Sequence, residues 1–204
     1  MNENLNITHY DSTAEMLHWL IAGMVIVQFI LAKMADLAGD VDNSVRELAL
    51  LANHRSVGIT ILALVIVRLV WRLKNAPPAL PATIPQWQVT ASQVSHWSLY
   101  VLLFAMPVSG WLMSSASTQS VIWFNLFQLP DFVAQNPELE DTFEEIHEFI
   151  GKLLILVAAI HILAALKHAL INRNGVVQRM VSIASIVAFA VVIILGVAWL
   201  GGAG

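Results

Sequence analysis

Two histidines, His147 and His161, lie 14 residues apart on one strongly apolar segment, and this spacing constrains the fold more than any other feature of the chain. On an α-helix, 14 residues return a side chain to within about 40° of the first and move it about 21 Å along the axis. A hydrocarbon layer is about 30 Å thick, so one helix would present an imidazole near each side of a membrane. Ionisable side chains at such depth are costly and indicate a functional site.

The composition also indicates a membrane protein. The 204 residues are 58% hydrophobic and 12% charged, whereas a soluble domain has roughly 25% charged residues. The chain has no cysteine, which excludes disulfides, cysteine-ligated iron–sulfur clusters and thiolate-bound zinc. The formal net charge of −4 gives no support for nucleic-acid binding.

The apolar pattern predicts an all-α membrane protein with five transmembrane helices, the fifth at the C-terminus. Ser or Thr three residues before Glu predicts capping boxes at the start of helices one, two and four. The first segment lacks a basic region before it, so it is interpreted as a retained helix and not as a signal peptide. The predicted spans are residues 14–34, 45–73, 91–114, 143–170 and 181–200.

The loops predict the orientation in the membrane. Segments 72–95 and 167–180 contain basic residues and no acid, whereas segment 115–146 contains six acids and no Lys or Arg. Loops rich in Lys and Arg face the cytoplasm. The N-terminus is therefore expected in the cytoplasm and the C-terminus in the periplasm.

Depth along these helices sorts four histidines into two pairs. His54 and His147 fall at the outer level, and His18 and His161 fall at the inner level. Haem iron bound by two neutral imidazoles is six-coordinate, which suits electron transfer. The sequence therefore predicts two bis-histidine b-haems stacked across the bilayer.

Two glycines support the outer pair. Gly58 follows His54 by four residues, and Gly151 follows His147 by four residues. Each glycine shares a helix face with its histidine. A flat macrocycle that approaches the backbone closely would favour glycine there.

Arg68 and His96 are predicted near the inner haem. Arg68 shares the helix face of His54 at the inner level, where a haem propionate would neutralise its charge. His96 has the bulky Tyr100 four residues later, which makes it a poorer iron ligand. It is expected to contact a propionate or a quinone instead.

Several alternatives stay open from the residues alone. Zinc is a weaker hypothesis, because it prefers four ligands at one point and the histidines define two points. His168 is an alternative inner ligand, and snorkelling to the interface is the alternative role of Arg68. Glu148 and Lys152 have the spacing of a helical ion pair, with a quinone role for Lys152 as a minor alternative. A transporter with proton-relay histidines is the non-redox hypothesis.

The ordered set of motifs resembles the bacterial cytochrome b561 family, which is related to the di-haem cytochrome b subunits of membrane hydrogenases. The resemblance covers roughly residues 12–180. In the first two helices it rests on His18-Trp19, on Asn53-His54 with Gly58, and on the segment from Arg68 to Lys74 that ends helix two. In the next two it rests on the segment from His96-Trp97 to Pro107 and Gly110, and on Ile146-His147-Glu148 with His161 and the following residues to His168.

This resemblance implies a four-helix transmembrane di-haem bundle over residues 12–180. Residues 181–204, a fifth, C-terminal transmembrane helix with a glycine-rich end, are an addition to the family pattern. The resemblance also implies axial roles for His18, His54, His147 and His161, and transmembrane electron transfer linked to ubiquinone or menaquinone in the bacterial inner membrane. A haem b anchor subunit for a dehydrogenase or hydrogenase, and a superoxide:quinone oxidoreductase, are the alternatives. The long acidic third loop weakens the superoxide alternative, because it should repel an anion.

The expected partners are membrane lipid, quinone and an extracytoplasmic redox partner. The ending Gly201-Gly202-Ala203-Gly204 resembles a flexible linker, so a fused C-terminal domain, such as a lipid- or isoprenoid-binding one, is also expected. A homodimer is compatible with these features.

Overall fold

The computed structural model describes residues 9–81 and 83–202, and in this part the chain is mostly helical. α1 is Ser12–Asp40, α2 is Ser44–Lys74, α3 is Gln86–Ala116, α4 is Pro137–Leu166 and α5 is Ile183–Gly202. A π-helical turn, Lys167–Asn172, continues α4, and a 3₁₀ turn covers Gln178–Met180. Two short strands, β1 at Ile122–Trp123 and β2 at Phe127–Gln128, lie between α3 and α4.

Four helices are long and apolar enough to cross a membrane: α1, α2, α3, and α4 with its π-helical turn. Residues Ile183–Trp199 of α5 form a shorter apolar stretch. The predicted all-α membrane fold is therefore confirmed for the four-helix part. The spanning of α5 stays a prediction.

The predicted helix starts were wrong by one to six residues. Asp11 caps α1, since its carboxylate accepts from the backbone N–H groups of Thr13 and Ala14. Asn43 caps α2 in the same way. α4 begins at Pro137 after the cap Asn136, and not near 143. An asparagine cap, proline in the first turn and acids after it form a stronger start signal than the Thr142–Glu145 box.

The helices pack side by side in the order α5, α1, α2, α3, α4. The core lies mainly between α1 and α2, where Leu31, Leu50 and Val65 are almost fully buried. α4 packs along α3, and its backbone stays largely apart from α1 and α2. Of its residues only Gly151 and Leu154 are buried. A space therefore separates α4 from α1 and α2, and side chains rather than packed backbones meet across it.

The two ends of the bundle differ in charge. The end with the α2–α3 connection and the segment 167–180 is called the basic end, and the end with segment 115–146 is called the acidic end. α1, α3 and α5 run from the basic end to the acidic end, and α2 and α4 run back.

A small β-hairpin packs on α2 near the acidic end, where the sequence predicts only a loop. Its strands pair antiparallel, with Trp123 opposite Phe127. Phe124 and Asn125 adopt positive φ at the turn. The Ser56 hydroxyl accepts from the backbone N–H of Phe124 at 3.0 Å, and the Trp123 indole donates to Thr60 at 3.1 Å.

Candidate functional site

The structure brings the four predicted histidines together in the two predicted pairs. At the acidic end, the ring centroids of His54 on α2 and His147 on α4 are 6.1 Å apart. At the basic end, those of His18 on α1 and His161 on α4 are 6.2 Å apart. Both pairs lie across the space that separates α4 from α1 and α2.

These separations match the size of a metal ion between two imidazoles. A metal–imidazole nitrogen bond is about 2 Å long, so one ion on the axis of two rings holds their centroids about 6 Å apart. Each pair supplies two donors, which is the number that a porphyrin leaves for the protein in a six-coordinate iron. In the described ranges, no group of three or more His, Asp or Glu side chains is placed to hold a metal ion. The donor set therefore fits two haems better than zinc.

A neighbouring serine fixes the tautomer of His147. The Ser109 hydroxyl donates to the carbonyl of Met106 at 2.8 Å, and its oxygen lies 3.0 Å from Nδ1 of His147. Because the single hydroxyl hydrogen goes to Met106, the serine oxygen accepts and Nδ1 of His147 donates. The lone pair of Nε2 is then left for a metal.

His54 carries an unsatisfied nitrogen. Its Nδ1 is buried and has no hydrogen-bond partner among the described residues. Its backbone carbonyl accepts from Nε2 of Gln28 at 2.9 Å, which ties α1 to α2 at this level. A buried polar atom without a partner is costly, so a group that bonds to this nitrogen would stabilise the His54 side chain.

Gly110 of α3 makes room for the His147 ring. A Cβ at this position would lie 3.0 Å from Cε1 of His147. From the sequence, Gly110 is part of the family motif, and Ser109 and Gln28 are not predicted as site residues. No local signal marks these residues as site residues, because their contacts are made between helices.

The two glycines predicted to face a macrocycle have protein neighbours. A Cβ at Gly58 would lie 3.3 Å from Nε2 of Gln28, and one at Gly151 would lie 3.1 Å from Cε of Met106. Their close packing is therefore already explained by α1 and α3. Their contact with a cofactor stays a prediction.

His96 forms a third imidazole at the basic end. Its ring centroid is 5.3 Å from that of His161, shorter than the 6.2 Å between His18 and His161. The shorter separation leaves less room for an ion, so His18 is the better partner of His161. His96 lies beside this pair, and its contact with a propionate or a quinone stays a prediction.

Arg68 lies one helical turn from His18 toward the basic end. Its guanidinium donates to the carbonyl of Ala14 at 2.5 Å and lies near Tyr100. It forms no ion pair with a carboxylate within residues 9–81 and 83–202. The contact of this guanidinium with an anionic group of a ligand stays a prediction.

The remaining candidates lie away from the pairs. Nδ1 of His168 lies 2.9 Å from the amide nitrogen of Asn174 and 3.2 Å from that of Asn172, so these residues hold its ring. Lys152 forms an ion pair with Glu148 at 2.8 Å on an exposed face of α4. Both observations favour structural roles for these side chains.

Comparisons with known proteins identify the family of this chain. The model of the prokaryotic cytochrome b561 family matches residues 9–183. The chain is 28% identical over 172 residues to cytochrome b561 homolog 2 of Escherichia coli K12. This alignment covers 84% of this chain and 90% of the relative. The chain is 27% identical to cytochrome b561 homolog 1 of the same organism, over 85% of this chain and 97% of the relative. It is 30% identical to the probable superoxide oxidase CybB of Yersinia pestis, over 80% of this chain and 90% of the relative.

Proposed function

Because the chain belongs to the prokaryotic cytochrome b561 family, whose members normally bind haem b, we propose that it carries electrons across a bacterial membrane through two b-haems. The protein is a multi-pass bacterial membrane protein. The observation that carries the proposal is the sorting of four imidazoles into two pairs of matching separation at opposite levels of the bundle.

His54 and His147 would hold one haem and His18 and His161 the other. Bis-histidine haem iron exchanges single electrons without an open coordination position. In a bilayer the apolar helices would keep water from both pairs, and the Ser109 hydroxyl would orient His147. Arg68 lies where it would neutralise a carboxylate of the group at the basic end.

A quinone of the membrane, either ubiquinone or menaquinone, is the electron-exchange partner that this proposal assigns. The basic end would face the cytoplasm and the acidic end the periplasm, with α5 as a fifth span. A periplasmic redox partner would complete the path at the acidic end. The direction of electron flow follows from which of the two partners is the stronger reductant.

The test is a reduced-minus-oxidised spectrum with haem counted per chain. We expect two b-haems in the unmodified protein and one in each variant in which a paired histidine is replaced by alanine. His54→Ala and His147→Ala should remove the same spectral component, and His18→Ala and His161→Ala the other. His168→Ala is the matched control and should retain both. A colourless chain, or loss of a haem from the control alone, would contradict the proposal.

Oxidation of superoxide with reduction of quinone is the second candidate, because one relative is named a probable superoxide oxidase. The acidic end opposes it, since the six carboxylates of segment 115–146 would repel an anion. Quinone reduction driven by added superoxide would support this candidate, particularly if its rate rises with salt as the repulsion is screened. If the chain instead copurifies with a large dehydrogenase, the anchor-subunit alternative is favoured.

A further inference from the structure

A pocket at the basic end combines positive charge with an unpaired hydrogen-bond donor. It is lined by Arg68, Trp71 and Arg72 of α2, by the start of the α2–α3 connection and by Tyr100 of α3. Like Arg68, Arg72 forms no ion pair within the described residues. Nε1 of Trp71 is buried and finds no acceptor there. A buried N–H without an acceptor costs about 1–3 kcal/mol, so this pocket favours a ligand with anionic oxygens.

One carboxylate also lines the pocket, and it does not cancel this charge. Asp11 is the N-cap of α1, and its Oδ1 accepts from the backbone N–H groups of Thr13 and Ala14. Because backbone N–H groups hold the Asp11 carboxylate and Arg68 is assigned to the cofactor, the Arg72 guanidinium is the charge left for a second anion. The N-terminus of α1 adds a favourable field for an anion.

An apolar groove of about 620 Å³ runs along the surface between α3 and α4. Its walls include Val94, Trp97 and Val101 of α3 and Leu153 and Val157 of α4. Val94 and Val101 are more than 60% exposed in the protein alone. In a bilayer such a groove accommodates a hydrocarbon chain.

Trp97 connects the cationic pocket to the groove. The Arg72 guanidinium carbon lies 5.9 Å from the centroid of the Trp97 ring and 5.8 Å from that of Tyr100. Trp97 itself lines the groove. A ligand that occupies both places must therefore carry an anionic head and an apolar chain.

We propose that the pocket and the groove together bind one anionic phospholipid of the leaflet at the basic end. The Arg72 guanidinium and the Trp71 indole donate to its phosphodiester oxygens, and one acyl chain lies in the groove between α3 and α4. Basic pockets between membrane helices are recognised sites for lipid phosphates. A quinone would fit the groove, but its neutral head would leave the positive charge uncompensated. Arg68, one turn deeper, remains for the cofactor of the proposed function.

The test measures lipid binding to the purified haem-loaded protein by native mass spectrometry. The titrants are phosphatidylglycerol, phosphatidylcholine with the same chains, and glycerol phosphate. We expect phosphatidylglycerol to bind most tightly, and Arg72→Gln to weaken it roughly tenfold. Lys74→Gln removes the same charge from an exposed position outside the pocket and should leave the affinity within about twofold.

Two further variants keep the test independent of folding and topology. Arg72→Lys retains the positive charge but loses the planar fork, and it should weaken binding to an intermediate degree. Val101→Trp fills the groove and should weaken the binding of phosphatidylglycerol as Arg72→Gln does. Equal affinity of Arg72→Gln and Lys74→Gln would overturn the proposal, as would equal binding of phosphatidylcholine.

Other outcomes assign the pocket differently. Saturation by glycerol phosphate at the same concentration would identify a free phosphate site, and displacement of phosphatidylglycerol by quinone would identify a quinone site. Loss of a haem from Arg72→Gln would assign Arg72 to the cofactor. Each of these results rejects the lipid site. A colourless protein that still binds phosphatidylglycerol would reject the proposed function alone.

Discussion

Ser109 determines which nitrogen of His147 faces the site, and this role can be tested at one residue. Ser109→Ala removes the hydroxyl oxygen that lies 3.0 Å from Nδ1 of His147. A histidine ligand that loses this partner becomes less basic, so affinity for the acidic-end haem should fall about 10-fold to 100-fold. A less basic ligand stabilises ferric iron less, and the midpoint potential of that haem should rise. Potentiometric titration measures both haems at once.

The matched control for Ser109 is Ser92→Ala on the same helix, near the basic end. It should change neither potential. An unchanged acidic-end potential in Ser109→Ala would show that the tautomer of His147 does not depend on this hydroxyl.

Gly110 of α3 leaves space for the imidazole of His147, and a substitution at this residue tests that role. Gly110→Ala places a Cβ 3.0 Å from the His147 ring, a distance tighter than ordinary contact, so the ring must move. We expect loss of one haem and retention of the other. Gly23→Ala is the control, since its Cβ would lie equally close to Val192 of α5, away from the histidines. If both variants bind two haems, the contact with Gly110 does not position His147.

At the scale of elements, α5 packs on the bundle without reaching the histidine pairs. Gly196 lies against Val27, and a Cβ there would come within 2.5 Å of its Cγ2. Gly196→Leu should therefore displace α5 from α1 while both haems remain. Cysteine pairs introduced across α1 and α5 should lose their cross-linking in this variant. Loss of haem would show that α5 is part of the cofactor-binding domain, against the predicted boundary near residue 180.

The sequence predicts the elements whose formation depends on residues close together in the chain. Helices α1 to α4 follow from long apolar runs, and the two levels of histidines follow from the rise of a single helix. The β-hairpin was missed because each strand has two residues and is held by distant side chains, Ser56 and Thr60 of α2. The start of α4 was missed because a capping box inside the helix resembled its beginning. The pairing of His147 with Ser109 and Gly110 depends on the packing of α3 against α4, which no local pattern encodes.

At the scale of the whole molecule, the asymmetry of charge predicts the orientation. The basic end carries connections with Lys and Arg and no acid, which favours the cytoplasm. Because the chain has no cysteine, single cysteines report the side directly. Ala134→Cys in the acidic connection should react with an impermeant maleimide in intact cells. Ala79→Cys in the basic connection should react only after lysis, and both positions are exposed in the structure. The reverse labelling would place the acidic end in the cytoplasm, and the periplasmic partner would then have to dock at the Arg72 end.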